Sequence, residues 1–572
     1  MIMTALVLAT LSHSQSLAWL HNYRRGDVMD LDASPDGKSA LAVYTLSNPV
    51  FSSADSSVVF NDGPLGIGTS KVITYDAAGN VQWTINYVLD IATLKIYSVR
   101  FAPDGSVFIV GSVNSSAYDL NPGPGEYFLP VNSASFVAKY SAAGEFIWAA
   151  PVGDYVIAFP SPTLAVDDAG NVYVTGVFSG TFDFDPSEQT ANLSAIADYD
   201  NAYLCKFSTD GALLWAKAFR SEGNVNPQSV ALNGNGKVLL TGDFMPSSSF
   251  EQPLDLDPGS GQLLFYGNTN SSGNAFLVVL DENGQLVTGY VIEEPATTKA
   301  TAAAATADNG FVIVGKYTGD FDADFGPNTF MVPVLGDPSY TNLFTLKLSE
   351  DLSLQWVKNF GSPNNITTNA SAVAVKPNGN VLMTGFIEQG VMDLNPGAGQ
   401  FLIEQTSSFG ETGFILELSG QGDYVWAEQC VGVGACDVYR LAIINDEEYV
   451  FGMNSNFGAE FTPNLNYTIP MYDPNLNANF IIGKIGSTLP NSVAPNQLTS
   501  FSLFPIPASD RLCLVGEDLA GRNYRIMNAI GQTASTGSIH NRVISIDNLA
   551  PGYYYLYLDH QPSALPFVKA NY

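Results

Sequence analysis

The sequence predicts an all-β chain, with a seven-bladed β-propeller of four-stranded blades followed by a small β-sandwich. Two observations lead to this prediction. One structural unit recurs about every 68 residues, and the first residues of the chain supply the strand that the last unit lacks. The 52 Gly and 32 Pro among 572 residues agree with many short strands joined by tight turns.

Tryptophan marks the repeat, because all six Trp residues stand in one phase. They are Trp19, Trp83, Trp148, Trp215, Trp356 and Trp426. Thr288 fills the one position that the spacing leaves empty. A turn glycine stands four residues before most of these positions, but Leu352 takes that place in the fifth repeat.

Each repeat is predicted to contain four antiparallel strands, called a, b, c and d. Strands a and b flank a turn such as Pro103-Asp-Gly105, where glycine accepts the positive φ of a tight turn. A longer loop joins b to c, and the Trp lies on strand d. A glycine closes strand b, at Gly111, Gly176, Gly242, Gly315, Gly385 and Gly452. An aromatic residue opens strand c, at Phe136, Tyr203, Phe276, Phe344, Phe414 and Phe480.

Ring closure is predicted from the two ends of the repeat region, residues 17–486. The last repeat has strands a, b and c over residues 438–485 but no Trp strand, whereas residues 16–23 supply only a Trp strand. Pairing these two segments would complete one blade and remove the open sheet edges.

Residues 1–16 are predicted to be a signal peptide. Their apolar run, Met1 to Leu11, is followed by the small residues of Ser12-His-Ser14, as at a cleavage site. No other segment has 18 unbroken apolar residues, so we expect no transmembrane helix. At the other end, the repeat gives way to a linker at 487–498 that is rich in Pro, Ser and Asn.

Residues 499–572 resemble the C-terminal sorting domain of the type IX secretion system of Bacteroidetes. The motifs that carry the resemblance are Phe501-Ser-Leu-Phe-Pro-Ile-Pro-Ala-Ser-Asp510, Tyr524-Arg-Ile-Met-Asn-Ala-Ile-Gly-Gln532, Ile544-Ser-Ile-Asp-Asn-Leu-Ala-Pro-Gly-Tyr553 and Phe567-Val-Lys569. The first departs from the family at Phe504 and at Ile506, where Asn is usual. The resemblance implies a small Ig-like β-sandwich, the type IX machinery as a partner, and an extracellular or outer-surface location. The propeller region is also similar to bacterial SBBP repeat proteins.

The charge of the chain excludes one class of partner, because a net charge of −32 repels nucleic acid. Histidine is scarce, and only His21 lies in the mature repeat region. This argues against Ser-His-Asp or Cys-His catalysis and against zinc. No residue is singled out as catalytic. Cys430 and Cys436 are expected to be able to pair in an oxidising compartment, and Cys205 to be a small buried residue.

Acidic b–c loops are the one recurring polar feature. Their carboxylates are Asp119, Asp183, Asp185, Asp255, Asp257, Asp322, Asp324 and Asp393. Such oxygen ligands suit Ca²⁺, the one cofactor that the sequence suggests. They equally suit turns, since Asp bonds to the backbone two residues on. We favour the turn, because every blade needs a turn and a binding site is seldom repeated.

Three functions remain open. The main hypothesis is a secreted or surface-anchored protein that binds a glycan or a protein, as in adhesion. The alternative is a secreted carboxylate-dependent enzyme acting on polysaccharide, since the carboxylates are plentiful. A structural spacer without a ligand is the third, and it predicts a surface free of any cavity.

Overall fold

The computed structural model describes two compact units, Met1–Ser487 and Thr488–Tyr572. The residues described are 16–24, 26–46, 51–52, 68–87, 94–115, 118–131, 133–154, 161–196, 199–246, 253–267, 272–293, 297–361, 367–388, 390–405, 410–432, 435–455, 459–462, 467–469, 479–486, 502–504, 511–515, 522–528, 532–539, 543–550, 552–558 and 565–569. Almost all of the predicted signal peptide, the linker 487–498 and residues 505–510 of the first tail motif lie outside them. Every regular element described is a strand, which confirms the all-β prediction, and none is a helix of membrane-spanning length.

Seven sets of four antiparallel strands are traced in the first unit, each in the order a, b, c, d, and are called sheets 1 to 7. Their strands are Gly26–Ala33, Ser39–Leu46, Gly68–Tyr75 and Val81–Tyr87; Leu94–Phe101, Val107–Val113, Ala134–Tyr140 and Phe146–Gly153; Thr163–Val166, Val172–Phe178, Asn201–Phe207 and Leu213–Phe219; Gly223–Leu232, Val238–Pro246, Asn274–Leu280 and Leu286–Val291; Thr297–Ala305, Phe311–Thr318, Asn342–Leu348 and Leu354–Phe360; Thr368–Val375, Val381–Ile387, Thr412–Leu418 and Tyr424–Gly432; and Cys436–Ile443, Tyr449–Ser455, Asn479–Gly486 and Ser16–Arg24.

Short strands accompany these sheets. Phe51–Ser52 pairs with Ser16–Arg24. Hairpins within the b–c loops are formed by Thr181–Asp183 with Asn192–Ser194, Leu254–Asp255 with Leu264–Phe265, Phe321–Asp322 with Met331–Val332, Val391–Asp393 with Leu402–Glu404, and Ala459–Thr462 with Tyr467–Ile469.

The a strands meet at the centre of the unit. Each contacts the a strands of both neighbouring sheets, and the a strand of sheet 7 contacts that of sheet 1. Arg440 Nε of sheet 7 donates to Met29 O of sheet 1 at 2.8 Å. Repeated four-stranded sheets around a common centre are the architecture of a β-propeller.

Sheet 7 joins the two ends of the repeat region. Ser16–Arg24 runs antiparallel to Asn479–Gly486, with Ser16 opposite Gly486 and Arg24 opposite Asn479. The first strand of the chain therefore occupies the outer, Trp-bearing position of the last sheet, and no c–d turn links the two strands.

The core lies between the sheets. Seven clusters of buried apolar side chains are found, one between each pair of adjacent sheets, including sheets 7 and 1. Strands b and c are covered on both faces, and Val107–Val113 and Ala134–Tyr140 are buried along their whole lengths. This is why their sequences are nearly continuous apolar runs.

The regular spacing of the tryptophans along the sequence follows from the contacts at the joints between adjacent sheets. Five of the six indoles lie over the c–d turn of the next sheet. Trp83 Nε1, for example, donates to Ala142 O at 2.9 Å, and Trp148 Nε1 to Thr209 O at 3.0 Å. A Cβ on the turn glycine would collide with the ring, as for Gly144, where Trp83 Cδ2 would be 2.9 Å away. Trp426 faces sheet 7, which has no c–d turn, and its Nε1 donates to Glu417 Oε2 instead.

The cysteine predictions are confirmed. Cys430 and Cys436 form a disulfide, with Cα atoms 6.0 Å apart, that links strand d of sheet 6 to strand a of sheet 7. The Cys205 thiol is fully buried in strand c of sheet 3.

The second unit contains two antiparallel sheets. One comprises Ser502–Phe504, Arg511–Val515 and Val543–Ser545, and the other Thr533–Ser538, Asn523–Asn528, Gly552–Leu558 and Leu565–Lys569. Within the described part of this unit, nine buried residues form the core: Leu512, Ile526, Ile539, Ile544, Ile546, Leu549, Tyr554, Leu556 and Leu558.

Candidate functional site

A β-bulge occurs at the equivalent place in six of the a strands. In sheet 5, Ala300 and Ala302 pair with consecutive residues of strand b, so that Thr301 is the extra residue. The same register shift leaves one extra residue in each of five other a strands: Met29, Tyr97, Gln228, Ser371 and Tyr439. A bulge redirects a side chain away from the regular alternation of a strand. Five of these six residues, all but Met29, line one cavity at the centre of the ring.

The glycine that closes strand b makes room for the bulge. In sheet 5, a Cβ on Gly315 would lie 2.1 Å from Lys299 O and 2.5 Å from Phe344 Cζ. A Cβ on Gly242 would collide in the same way with Asn226 O, and a Cβ on Gly385 with Asn369 O. The repeated glycine, predicted only as a strand end, therefore accompanies the bulge in sheets 2, 4, 5 and 6. The correspondence is incomplete, because the bulge of sheet 1 lies opposite Val43 and sheet 3 has Gly176 without a bulge.

The central cavity has a volume of about 530 Å³ and is lined by residues from the a strands of all seven sheets. Seven charged side chains line it: Asp30, Arg100, Asp243, Lys299, Lys316, Glu388 and Arg440. Four of them are basic, although the chain as a whole carries 55 acidic and 23 basic residues. The cavity is thus richer in positive charge than the rest of the protein.

One group of these charges is centred on Asp30. Arg100 Nη1 lies 2.5 Å from Asp30 Oδ2, and Arg440 Nε lies 3.5 Å from Asp30 Oδ1. Burial lowers the pKa of Arg100, but the carboxylates of Asp30 and Asp32 outweigh it and raise the pKa above its usual value. Arg100 also lines a second cavity of about 320 Å³ with Asp32 and small apolar residues, so its side chain lies between the two cavities.

A second group lies on sheets 4 and 5. Lys299 Nζ is 3.4 Å from Asp243 Oδ2. The Asp243 carboxylate also accepts from Asn226 Nδ2 at 3.0 Å and from Gln228 Nε2 at 3.4 Å. The pKa of Lys316 is lowered, first by burial and then by repulsion from Lys299.

A third group, on sheets 6 and 7, reaches the cavity through Tyr439, whose hydroxyl donates to Asp437 Oδ2 at 2.8 Å. Burial and the neighbouring Asp437 raise the pKa of Glu411 to about 8. Burial also raises the pKa of Asp437. The raised pKa keeps the Glu411 carboxyl protonated at neutral pH, which is the condition a general acid needs. The sequence analysis did not single out this pair.

The eight acidic loop residues lie in closed turns away from these groups. Asp322 Oδ1 accepts from Asp324 N at 3.0 Å and from Phe330 N at 2.7 Å, and Asp324 Oδ1 accepts from Gly326 N at 2.9 Å. The same bonds recur at Asp119, Asp183, Asp185, Asp255, Asp257 and Asp393. Within the described residues, no three His, Cys, Asp or Glu side chains converge as metal ligands would. The calcium site stays a prediction.

No protein-family model matches the chain. A curated relative, an uncharacterised WD repeat-containing protein of Acanthamoeba polyphaga mimivirus, is 22% identical over an alignment of 447 residues. The alignment covers 67% of this chain and 31% of that protein. The chain thus spans about a third of its relative's length. Among solved structures, a Dyadobacter fermentans protein of unknown function is 10% identical with a TM-score of 0.31, over 68% of this chain and 93% of its own. A polysaccharide lyase, an ulvan lyase, is 9% identical with a TM-score of 0.37, over 75% and 92%.

Proposed function

We propose that the first unit is a seven-bladed β-propeller and that the protein is an exported binding protein of the cell surface. The seven sets of four strands, with sheet 7 packed against sheet 1, support the blade number. The signal-like N-terminus and the tail motifs support export, with the type IX secretion machinery as the partner of the tail. Its destination would be the extracellular space or the outer cell surface.

The tail would be the Ig-like sorting domain. Two antiparallel sheets with a common apolar core support this assignment. Asn528 Oδ1 accepts a hydrogen bond from Gln532 N at 2.9 Å, which joins the Asn and the Gln of the second tail motif. Deleting residues 499–572 should leave the protein inside the outer membrane of its host, measured by surface proteolysis. Unchanged surface exposure of the deleted form would refute this role.

The binding site would be the central cavity, and the in-register bulges carry this proposal. A residue that the fold itself requires recurs in most repeats, as the turn glycines and loop aspartates do. The bulged residues instead differ in chemistry from sheet to sheet, with Tyr97, Gln228, Thr301 and Ser371 at equivalent positions. A backbone bulge that is repeated while its side chain varies is suited to ligand recognition. Concave sites with a few well-placed polar groups are also typical of ligand-binding sites.

The proposed ligand is a glycan or a protein, and a glycan-array screen of the full-length protein tests the first. The screen is run with Ca²⁺ and again with a chelator. Gln228→Ala removes a cavity side chain, whereas Gln285→Ala removes an exposed one from a c–d turn and serves as the matched control. We expect about a tenfold weaker affinity for Gln228→Ala alone, the size of one lost polar contact.

The array results separate the alternatives. Binding that is equal in both glutamine variants would exclude the cavity as the site. Loss of binding in chelator would point to the acidic loops as a calcium-dependent surface, whereas persistence in chelator would leave them as turns. Absence of glycan binding in both conditions would favour a protein ligand.

A second candidate function is a carboxylate-dependent enzyme acting on polysaccharide. The neighbouring carboxyls of Glu411 and Asp437, both with raised pKa values, favour it. Reducing-end release by the full chain is the assay. Glu411→Gln should abolish it, while Glu404→Gln, an exposed residue in the b–c hairpin of the same sheet, should not. Glycan binding without any reducing-end release would exclude this function.

A further inference from the structure

Two lysines face the central cavity from one sheet. Lys299 on strand a and Lys316 on strand b of sheet 5 are opposite each other in the strand register, and both line the cavity. The ordinary arrangement in this protein is different. Four lysines with side chains no more than 10% exposed each have a carboxylate within 3.4 Å: Lys139, Lys206, Lys376 and Lys484.

Two carboxylates, Asp243 and Glu388, lie near this pair, but only Lys299 forms an ion pair with one of them. Asp243 is 3% exposed, and its two oxygens are shared between Lys299 and two side-chain amides. Glu388 lines the cavity but is exposed. Among the described residues, no carboxylate oxygen lies within the 4.0 Å salt-bridge distance of Lys316 Nζ. One ammonium group therefore faces the cavity without an ion-pair partner.

A partly buried ammonium without a counter-ion carries a desolvation cost that a bound anion would offset. The pKa of Lys316 is lowered, because burial and repulsion from Lys299 outweigh the attraction of Glu388 and Asp243. The polar bulge residues Gln228 and Thr301, which also line the cavity, are suited to contact a hydroxylated ligand beside the charge.

We propose that the cavity binds the oxyanion of an acidic oligosaccharide between Lys299 and Lys316. The oxyanion is a carboxylate or a sulfate ester on the sugar, and both chemistries match the ammonium groups of two cross-strand lysines that line one cavity. This inference rests on the proposed glycan-binding function and specifies its ligand class.

The strongly negative net charge does not contradict an anionic ligand. At physiological ionic strength the screening length is about 8 Å, so distant surface carboxylates contribute little inside the cavity. The charges that line the cavity, four basic and three acidic, then determine the potential there. Binding should weaken as NaCl is raised, because each contact is between charges.

Titration calorimetry of the full-length protein tests the proposal with three probes: oligogalacturonate, dextran sulfate oligomers and neutral dextran oligomers. We expect an acidic probe to bind and the neutral one not to bind. Lys316→Met should weaken binding at least tenfold, while Lys237→Met, in the a–b turn of sheet 4 outside the cavity, should leave it unchanged. Binding to the carboxylate probe alone or to the sulfate probe alone would support the proposal and identify the group.

The Lys316→Met variant is expected to fold, because it replaces an unpaired ammonium by an apolar chain of similar length. Its melting temperature should equal or exceed that of the native protein. Failure of both acidic probes to bind, or equal affinity in Lys316→Met, would overturn the oxyanion proposal. Neutral-glycan binding that depends on Gln228 but not on Lys316 would overturn it while leaving the cavity-binding function intact.

Discussion

The joint between sheets 4 and 5 should accept tryptophan at position 288 only when Leu352 is changed to glycine. At other joints the indole lies over a turn glycine, and a Cβ on Gly211 would lie 2.8 Å from Trp148 Cδ2. At this joint strand d carries Thr288, and Leu352 stands in the turn with φ 64° and only 3% exposure. Its side chain belongs to the core cluster between sheets 4 and 5, in the volume that an indole covers elsewhere.

The magnitudes follow from these positions. Leu352→Gly relieves a left-handed backbone worth about 1 kcal/mol but loses a buried side chain worth about 2–5 kcal/mol, so a net loss of about 1–4 kcal/mol is expected. Thr288→Trp alone overpacks the joint and should cost about 1–3 kcal/mol. The double variant rebuilds the usual pair, with a new indole hydrogen bond worth about 1 kcal/mol, and should approach native stability.

Urea unfolding followed by tryptophan fluorescence is the assay. All six Trp residues lie in the first unit, so the signal reports that unit alone. A coupling free energy of about 2 kcal/mol or more is expected between the two positions. The distant pair Trp83→Thr with Leu352→Gly is the control and should be additive within about 0.5 kcal/mol. Additive effects at 288 and 352 would refute the reasoning.

Three further predictions concern single sites. The pKa of Glu411 is raised from 4.5 to about 8, so the folded protein keeps this proton where the unfolded chain has lost it, and stability should fall as the pH rises from 4.5 to 8. Glu411→Gln should make the urea midpoint depend less on pH over this range. An unchanged pH dependence in the variant would contradict the prediction. Gly315→Ala should destabilise by about 1–3 kcal/mol through collision with Lys299 O, whereas Gly379→Ala, with φ 87° and open space, should cost about 1 kcal/mol in the same assay. Asp322→Ala should lower thermal stability by about 1 kcal/mol and Asp322→Asn should not, with no effect of chelator; chelator-sensitive melting would instead indicate a cation.

The repeat could be predicted because its signals are large residues with fixed partners. Tryptophan needs a turn glycine beneath it and a carbonyl for its Nε1, so both recur in phase. The same logic explains the exceptions. Leu352 marks the joint that lacks an indole, and Trp426 turns to Glu417 because sheet 7 has no c–d turn.

The candidate site could not be predicted in the same way. A bulge adds one residue to one strand, and the sequence of strand a looks regular on either side of it. Thr301, for example, stands within an alanine-rich run that gives no hint of its direction. The pairing of Lys299 with Lys316, and of Glu411 with Asp437, depends on register and on contacts between sheets. Spacing along the chain does not encode these contacts.

Repetition itself separates structural from functional residues in this fold. The loop aspartates recur, and each accepts hydrogen bonds from the backbone N–H groups two and eight positions later. Their hydrogen bonds therefore stabilise the loop to which they belong. The bulges recur in their backbone, but their side chains do not. In sheets 2, 4, 5 and 6 a glycine of strand b makes room for the bulge, so the bulged residue can change without loss of the ring. We therefore expect homologues to keep the glycine and the tryptophan while exchanging residues such as Gln228 and Thr301, and to differ in ligand accordingly.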